Sequence, residues 1–292
     1  MSLILPLLAF IIGWLLAQTR FAERLKPLFA TLLARLFIPI VIIYNMVFYQ
    51  AGSLSLMLFS FISAILLYAL FMQCFKDRLG ALCFSYLNMA WLGFPFAIAL
   101  FGPEISPAMV ALYIGGSIFG NIWAVTAVSS EPQPKSIILK KVMQSPPFVA
   151  LVLAGLLRLI GLQNIQNMFW LDHLYSASKI GMTFAGMCVL GMWLRRTKVN
   201  WGDLKRSSWI LGLKMMCGAL LCTIAYFYLP IPHIQQYIGV MFLLFCLPPA
   251  ANIVALETHY QGTGVSAKYI ASGTIVSCVV IAVYGMLLHF FK

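Results

Sequence analysis

Acid is scarce in this chain. Seven Asp and Glu stand against nineteen Lys and Arg in 292 residues, and 9% of the chain is charged, where a soluble domain carries about 25%. The seven acids are Glu23, Asp77, Glu104, Glu131, Asp172, Asp203 and Glu257. Each falls in an expected loop or near a helix end, and none at the centre of an apolar run. A proton relay or a sodium site built on carboxylates at membrane depth therefore has no material, although a sodium site of carbonyls and amides stays open. The four His residues, 173, 233, 259 and 289, are dispersed and offer no metal-ligand spacing. Seven Cys occur without a C-x-x-C pair, so disulfides and zinc are not expected and buried small hydrophobes are. There is no phosphate-binding G-x-x-x-x-G-K-[ST] loop, no H-E-x-x-H and no G-x-S-x-G. An ATP-driven machine and an enzyme are thus not expected, and no cofactor is implied.

What is present is hydrocarbon. Hydrophobic residues make up 62% of the chain and the mean hydropathy is +0.96. At roughly 20 apolar residues per crossing, the chain has room for ten transmembrane helices: residues 2–18, 28–48, 54–75, 79–101, 107–128, 146–161, 171–194, 207–229, 234–257 and 265–290. The first run meets no positive charge before Arg20, unlike a signal peptide with its basic leader, so it is expected to stay as helix 1. The net charge of +12 reads as a topology signal rather than a nucleic-acid footprint. Fourteen of the nineteen Lys and Arg fall in alternate loops, from Arg20, Arg24 and Lys26 to Lys268. Those loops should be cytoplasmic and both termini periplasmic.

The longest connection, residues 129–145 with Pro132 and Pro134, separates five helices (1–128) from five (146–292). Five per half forces the second half to enter from the opposite side, the arrangement of an inverted repeat in secondary transporters. Both fourth helices are interrupted. Helix 4 reads Asn88-Met89-Ala90-Trp91-Leu92-Gly93-Phe94-Pro95, and helix 9 reads Cys246-Leu247-Pro248-Pro249-Ala250-Ala251-Asn252. Proline removes a donor and clashes with the preceding turn, and matched breaks are the best sequence pointer to a transport site. Half-helix N-termini also offer partial positive charge to an anion. A proline that merely kinks one helix is common, but two matched breaks with a nearby amide each favour a site. Asn88 and Asn252 are the expected polar contacts, with Gly93, Pro95, Pro248 and Pro249 shaping the crossing.

Gly93-Phe94-Pro95 with Ala99-Leu100-Phe101-Gly102, Pro248-Pro249-Ala250-x-Asn252 with Tyr260-Gln261-Gly262, Ser145-Pro146-Pro147-x-x-Ala150, Pro39 and Leu190-Gly191-x-x-Leu194 together resemble the auxin efflux carrier family. The resemblance spans nearly the whole chain. It implies an all-α membrane fold of two inverted five-helix repeats, like that of the bile-acid symporters and PIN carriers, with helices 4 and 9 crossing at the substrate site. It also implies elevator-like movement, a homodimer, carriage of small carboxylates and, from the short 129–145 loop, the bacterial inner-membrane type. Where family members often have Pro in helix 7, this chain has Thr183.

Four further cations fall inside expected spans. Lys179 and Arg35 lie about two turns deep in helices 7 and 2, and each either neutralises a carboxylate or snorkels to the interface. Lys214 and Arg158 lie nearer the expected ends and read as snorkelling. Asn121 follows the Gly116-x-x-x-Gly120 step, which permits close helix packing, and is a secondary site candidate. Asn45 reads as interfacial, and Tyr49, Trp170 and Trp201 as an aromatic belt. The expected function is a carrier of organic anions in the lipid bilayer; a sodium-coupled symporter of the same fold is the alternative, and an intramembrane sensor or enzyme the alternative of another class.

Overall fold

Apolar runs this long satisfy their backbone in hydrocarbon only as helices, and helices are what they form. The computed structural model describes residues 4–48, 52–128, 135–162, 169–254, 257 and 264–290. Among the described residues the long helical segments follow in order: α1 (Ile4–Leu16), α2 (Ala22–Val47), α3 (Ser53–Phe75), α4 (Arg78–Ser85), α5 (Met89–Phe101), α6 (Ser106–Val128), α7 (Lys135–Met143), α8 (Pro146–Leu159), α9 (Phe169–Arg196), α10 (Trp201–Tyr228), α11 (Ile234–Cys246) and α12 (Val265–Phe290). Among the described residues the one β-type pairing is an isolated antiparallel bridge between Leu87 and Pro249.

Six of these helices carry stretches of 22–28 residues long and apolar enough to cross a membrane: α2, α3, α6, α9, α10 and α12. At 1.5 Å per residue they exceed a hydrocarbon core of about 30 Å. α1, α5, α8 and α11 are shorter and equally apolar. Their outer faces suit lipid. Leu54, Leu58, Ile62, Leu66 and Leu70 repeat every four residues along α3 and are all exposed, one stripe of a 3.6-residue helix. Trp201 and Trp209 are exposed near the start of α10, as is Trp170 near the start of α9; Tyr49 lies outside the described residues. These features are those of an all-α membrane protein.

Packing couples distant parts of the chain. α1 lies along α9, and α8 lies along the second half of α2; α3 packs on α6 and α10 on α12; α3 packs on α4 and α10 on α11; α4 meets α12 and α11 meets α6. The α1–α9 contact is close because Gly13 faces the backbone of Cys188 and Gly191 faces the backbone of Phe10 and Trp14. Small residues at that seam let two main chains approach, and Cys188 Sγ donates to the Ala9 carbonyl at 3.1 Å.

Local signals explain boundaries the apolar runs do not mark. α10 begins at Trp201 rather than near Ser207 because Asn200 and Asp203 form a capping box. The Asp203 amide donates to Asn200 Oδ1 at 2.8 Å and the Asn200 amide to Asp203 Oδ2 at 3.2 Å, so two orphan donors are satisfied. The 129–145 connection is helical over α7, while Pro132 and Pro134 lie outside the described residues. Two π-helical turns, Leu33–Phe37 in α2 and Met89–Gly93 in α5, each sit just ahead of a proline, Pro39 and Pro95. α9 runs unbroken through Thr183.

Candidate functional site

The expected helix 4 is split into α4 and α5, and the expected helix 9 stops at α11 and resumes as a helical turn at residues 252–254. α4 starts on Asp77, whose Oδ1 accepts from the Gly80 amide at 3.0 Å. It ends where Tyr86 turns extended. α5 starts on Asn88, whose Oδ1 accepts from the Trp91 amide at 3.2 Å. Pro95 carries no amide hydrogen, so a carbonyl of the preceding turn loses its helical donor. The Trp91 carbonyl faces α9, where Gly186 leaves room for it.

The two interrupted segments meet backbone to backbone. The Asn88 amide donates to the Pro248 carbonyl and the Ala250 amide to the Tyr86 carbonyl, both at 2.8 Å. Pro248 and Pro249 offer no donor, so the pairing uses only the groups that remain. The side chains add a further tie: Asn252 Nδ2 donates to the Tyr86 hydroxyl at 3.0 Å.

Beside this crossing is a cavity of about 170 Å³. Asn88 and Asn252 both line it, with Tyr86, Trp91, Tyr113 and Ser117 supplying aromatic wall and hydroxyls. Among the described residues no charged side chain lines it. The start of α5 borders it, so the positive end of that helix faces the cavity. Asn88 is 4% exposed and its Oδ1 is engaged on Trp91, leaving Nδ2 without a partner among the described residues.

Gly116 lies against Met89 at the start of α5 and Ser60 of α3, and Gly120 against the Tyr86 ring. A side chain at Gly116 would strike Met89, and one at Gly120 would strike that ring, whereas Gly115 faces the α3 backbone at Met57. The G-x-x-x-G step therefore backs the crossing.

The other candidates are distributed around this centre. Pro248 and Pro249 form the crossing backbone, and Gly93 packs against Met109 and Leu247. Asn121 does not line the cavity; its Nδ2 donates to the Ser117 carbonyl one turn back at 2.9 Å. Lys179 sits 4.2 Å above the Tyr175 ring in a cluster between α2 and α9. There Tyr175 stacks on Tyr44 at 4.0 Å and donates to Asn45 at 3.2 Å, and Tyr44 donates to Asp172 at 2.6 Å. Arg35 is exposed, although its neighbour Ala34 lines the cavity. Arg158 donates to the Val47 carbonyl at 3.4 Å. Among the described residues no group of three or more His, Cys, Asp or Glu is placed to hold a metal.

Lys214 departs from the snorkelling expectation. It is 2% exposed, and its ammonium donates to the Leu247 carbonyl, the residue ahead of Pro248. The capping box at Asn200 explains the error: it extends α10 by two turns and moves Lys214 from near the end to the middle. Tyr86 is not marked in the sequence either, since a tyrosine in an apolar run carries no sign of the turn that exposes its carbonyl. No protein-family model matches the chain, and no curated protein matches it.

Proposed function

We propose that the chain is a secondary carrier that moves a small organic anion across a membrane by alternating access at the crossing of the two interrupted helices. The observation that carries this reading is the reciprocal pairing of Asn88 with Pro248 and of Ala250 with Tyr86, beside a cavity that both Asn88 and Asn252 line. Non-helical backbone at membrane depth is tolerated only where protein or an aqueous cavity receives it, and that is where transporters bind substrate.

We further infer ten crossings arranged as two inverted repeats. Support comes from the packing: exchanging each helix of residues 1–128 for its counterpart in 146–292 turns α1–α9 into α8–α2, α3–α6 into α10–α12, and α4–α12 into α11–α6, each an observed contact. The basic loops then face the cytoplasm, both termini face the periplasm of a bacterial inner membrane, and the movement is elevator-like within a homodimer.

The cavity lining favours a singly charged carboxylate with an apolar body. Amide and hydroxyl donors and the start of α5 suit one carboxylate, the aromatic walls suit the body, and among the described residues no cation lines the cavity for a second charge. Potential-driven uniport is proposed rather than sodium coupling, because the Leu247 carbonyl at the break is already held by the Lys214 ammonium. Flux into proteoliposomes under an imposed potential tests the reading. Export of a monoanion from a negative interior gains about 2.3 kcal/mol per 100 mV, so flux should reverse with the potential and be indifferent to sodium. If malate, malonate and auxin-like acids all fail to move under either polarity, the anion reading falls.

A further inference from the structure

A second cavity, of about 30 Å³, lies on the other side of the helix break, between α4, α10 and α12. It has room for one or two water molecules. Lys214 lines it, and so do Ser207, Tyr269 and Ser277. The Tyr269 hydroxyl and the Ser277 Oγ are buried and have no hydrogen-bond partner among the described residues. Ser207 pairs with Ser272 at 2.6 Å, and the Arg206 guanidinium sits 4.6 Å from the Tyr269 ring.

The acceptors do not match these donors. An ammonium has three hydrogens and no lone pair; one is spent on the Leu247 carbonyl at the negative end of α11. Among the described residues the lining contains no acid. The ion pair found among the described residues is Arg196 with Glu23 at 3.6 Å, on the surface. The carboxylates of neighbouring elements serve helix starts: Asp77 takes the Gly80 amide, and Glu257 takes the Val265 and Ser266 amides and the Ser266 hydroxyl. The thiols Cys83 of α4 and Cys246 of α11 are the remaining titratable groups near the ammonium.

We propose that this cavity binds one small inorganic monoanion of halide size, held by the Lys214 ammonium and the Tyr269 and Ser277 hydroxyls. A buried cation is stable only with a counter-charge and satisfied donors, and an anion here supplies both while giving the two orphaned hydroxyls an acceptor. The small volume excludes the organic substrate of the larger cavity, so the site is additional to the transport site and stands or falls apart from it.

The test uses the purified full-length protein in sodium gluconate at constant ionic strength. Replacing gluconate by chloride or bromide should raise the unfolding temperature with saturation, since a ligand of the folded state stabilises it. Ser277→Ala and Tyr269→Phe, which remove only a hydroxyl, should each raise the half-saturating halide concentration about tenfold, the loss of one hydrogen bond to a charged group. Lys214→Met should abolish the response. Bromide-grown crystals should show an anomalous peak between Lys214 and Ser277. A wild-type protein without saturable halide stabilisation, hydroxyl variants that respond like wild type, or density for water alone would each overturn the proposal; the hydroxyl variants decide it should Lys214→Met fail to fold. Organic-anion flux in gluconate, measured on the same preparation, reports separately on the transport reading.

Discussion

At Asn88 two duties share one side chain: Oδ1 caps the start of α5, and the amide nitrogen borders the cavity. Substitutions separate them. Asn88→Ser keeps a capping oxygen and should hold the unfolding temperature near wild type while lowering organic-anion flux. Asn88→Ala loses the cap as well and should cost about 1 kcal/mol of stability besides. Thermal unfolding read beside proteoliposome flux checks both; equal flux in the serine variant and wild type would remove Asn88 from the substrate. Asn88 and Asn252 were legible because an amide beside a proline break in an apolar run has few other uses. Lys214 was not, because its depth depends on where α10 begins, and that is decided by Asn200 and Asp203 three residues apart outside the apolar run. The resting places of Lys179 and Arg35 were equally hidden, since sequence fixes depth along a helix but not which neighbour an azimuth faces.

The elements of the site are defined by what interrupts them. Pro95 follows a π-helical turn and leaves the wall of the crossing short of one amide donor. Pro95→Ala restores that donor and should leave the protein as stable or more so, by up to about 1 kcal/mol, with slower transport as the π-helical wall gives way to regular helix. Unchanged flux would show that the π-helical turn serves packing alone. Along the α1–α9 seam, Gly191→Val drives a branched side chain into the backbone of Phe10 and Trp14, and a cost of about 1–3 kcal/mol is expected, seen as a lower unfolding temperature in detergent. The breaks were readable because proline has no alternative backbone chemistry. Their pairing was not, because which carbonyl meets which amide across the Leu87–Pro249 bridge is settled by packing from opposite halves of the chain.

For the whole molecule, the distribution of charge makes a claim about sides. Lys198 is exposed between α9 and α10, and Glu104 is exposed in the turn before α6. In a variant lacking exposed Cys74, Lys198→Cys should react with a membrane-impermeant maleimide only in inside-out vesicles, and Glu104→Cys only in right-side-out ones. Labelling of both from one face would contradict the proposed orientation. The helical class and the approximate position of every long apolar helix followed from hydrophobicity, because hydrocarbon leaves the backbone no other choice. The helix in the 129–145 connection did not, since polar sequence meets no such constraint.

The crossing also dictates how the molecule can be made. Tyr86 and Asn88 enter the bilayer early in synthesis, yet their backbone partners are Pro248 and Ala250, which arrive only after the second half has been threaded. The first half must wait in the membrane with polar groups unsatisfied, a state that invites quality control. A fragment of residues 1–128 made alone should be short-lived in cells, and it should be rescued by co-expression of residues 146–292.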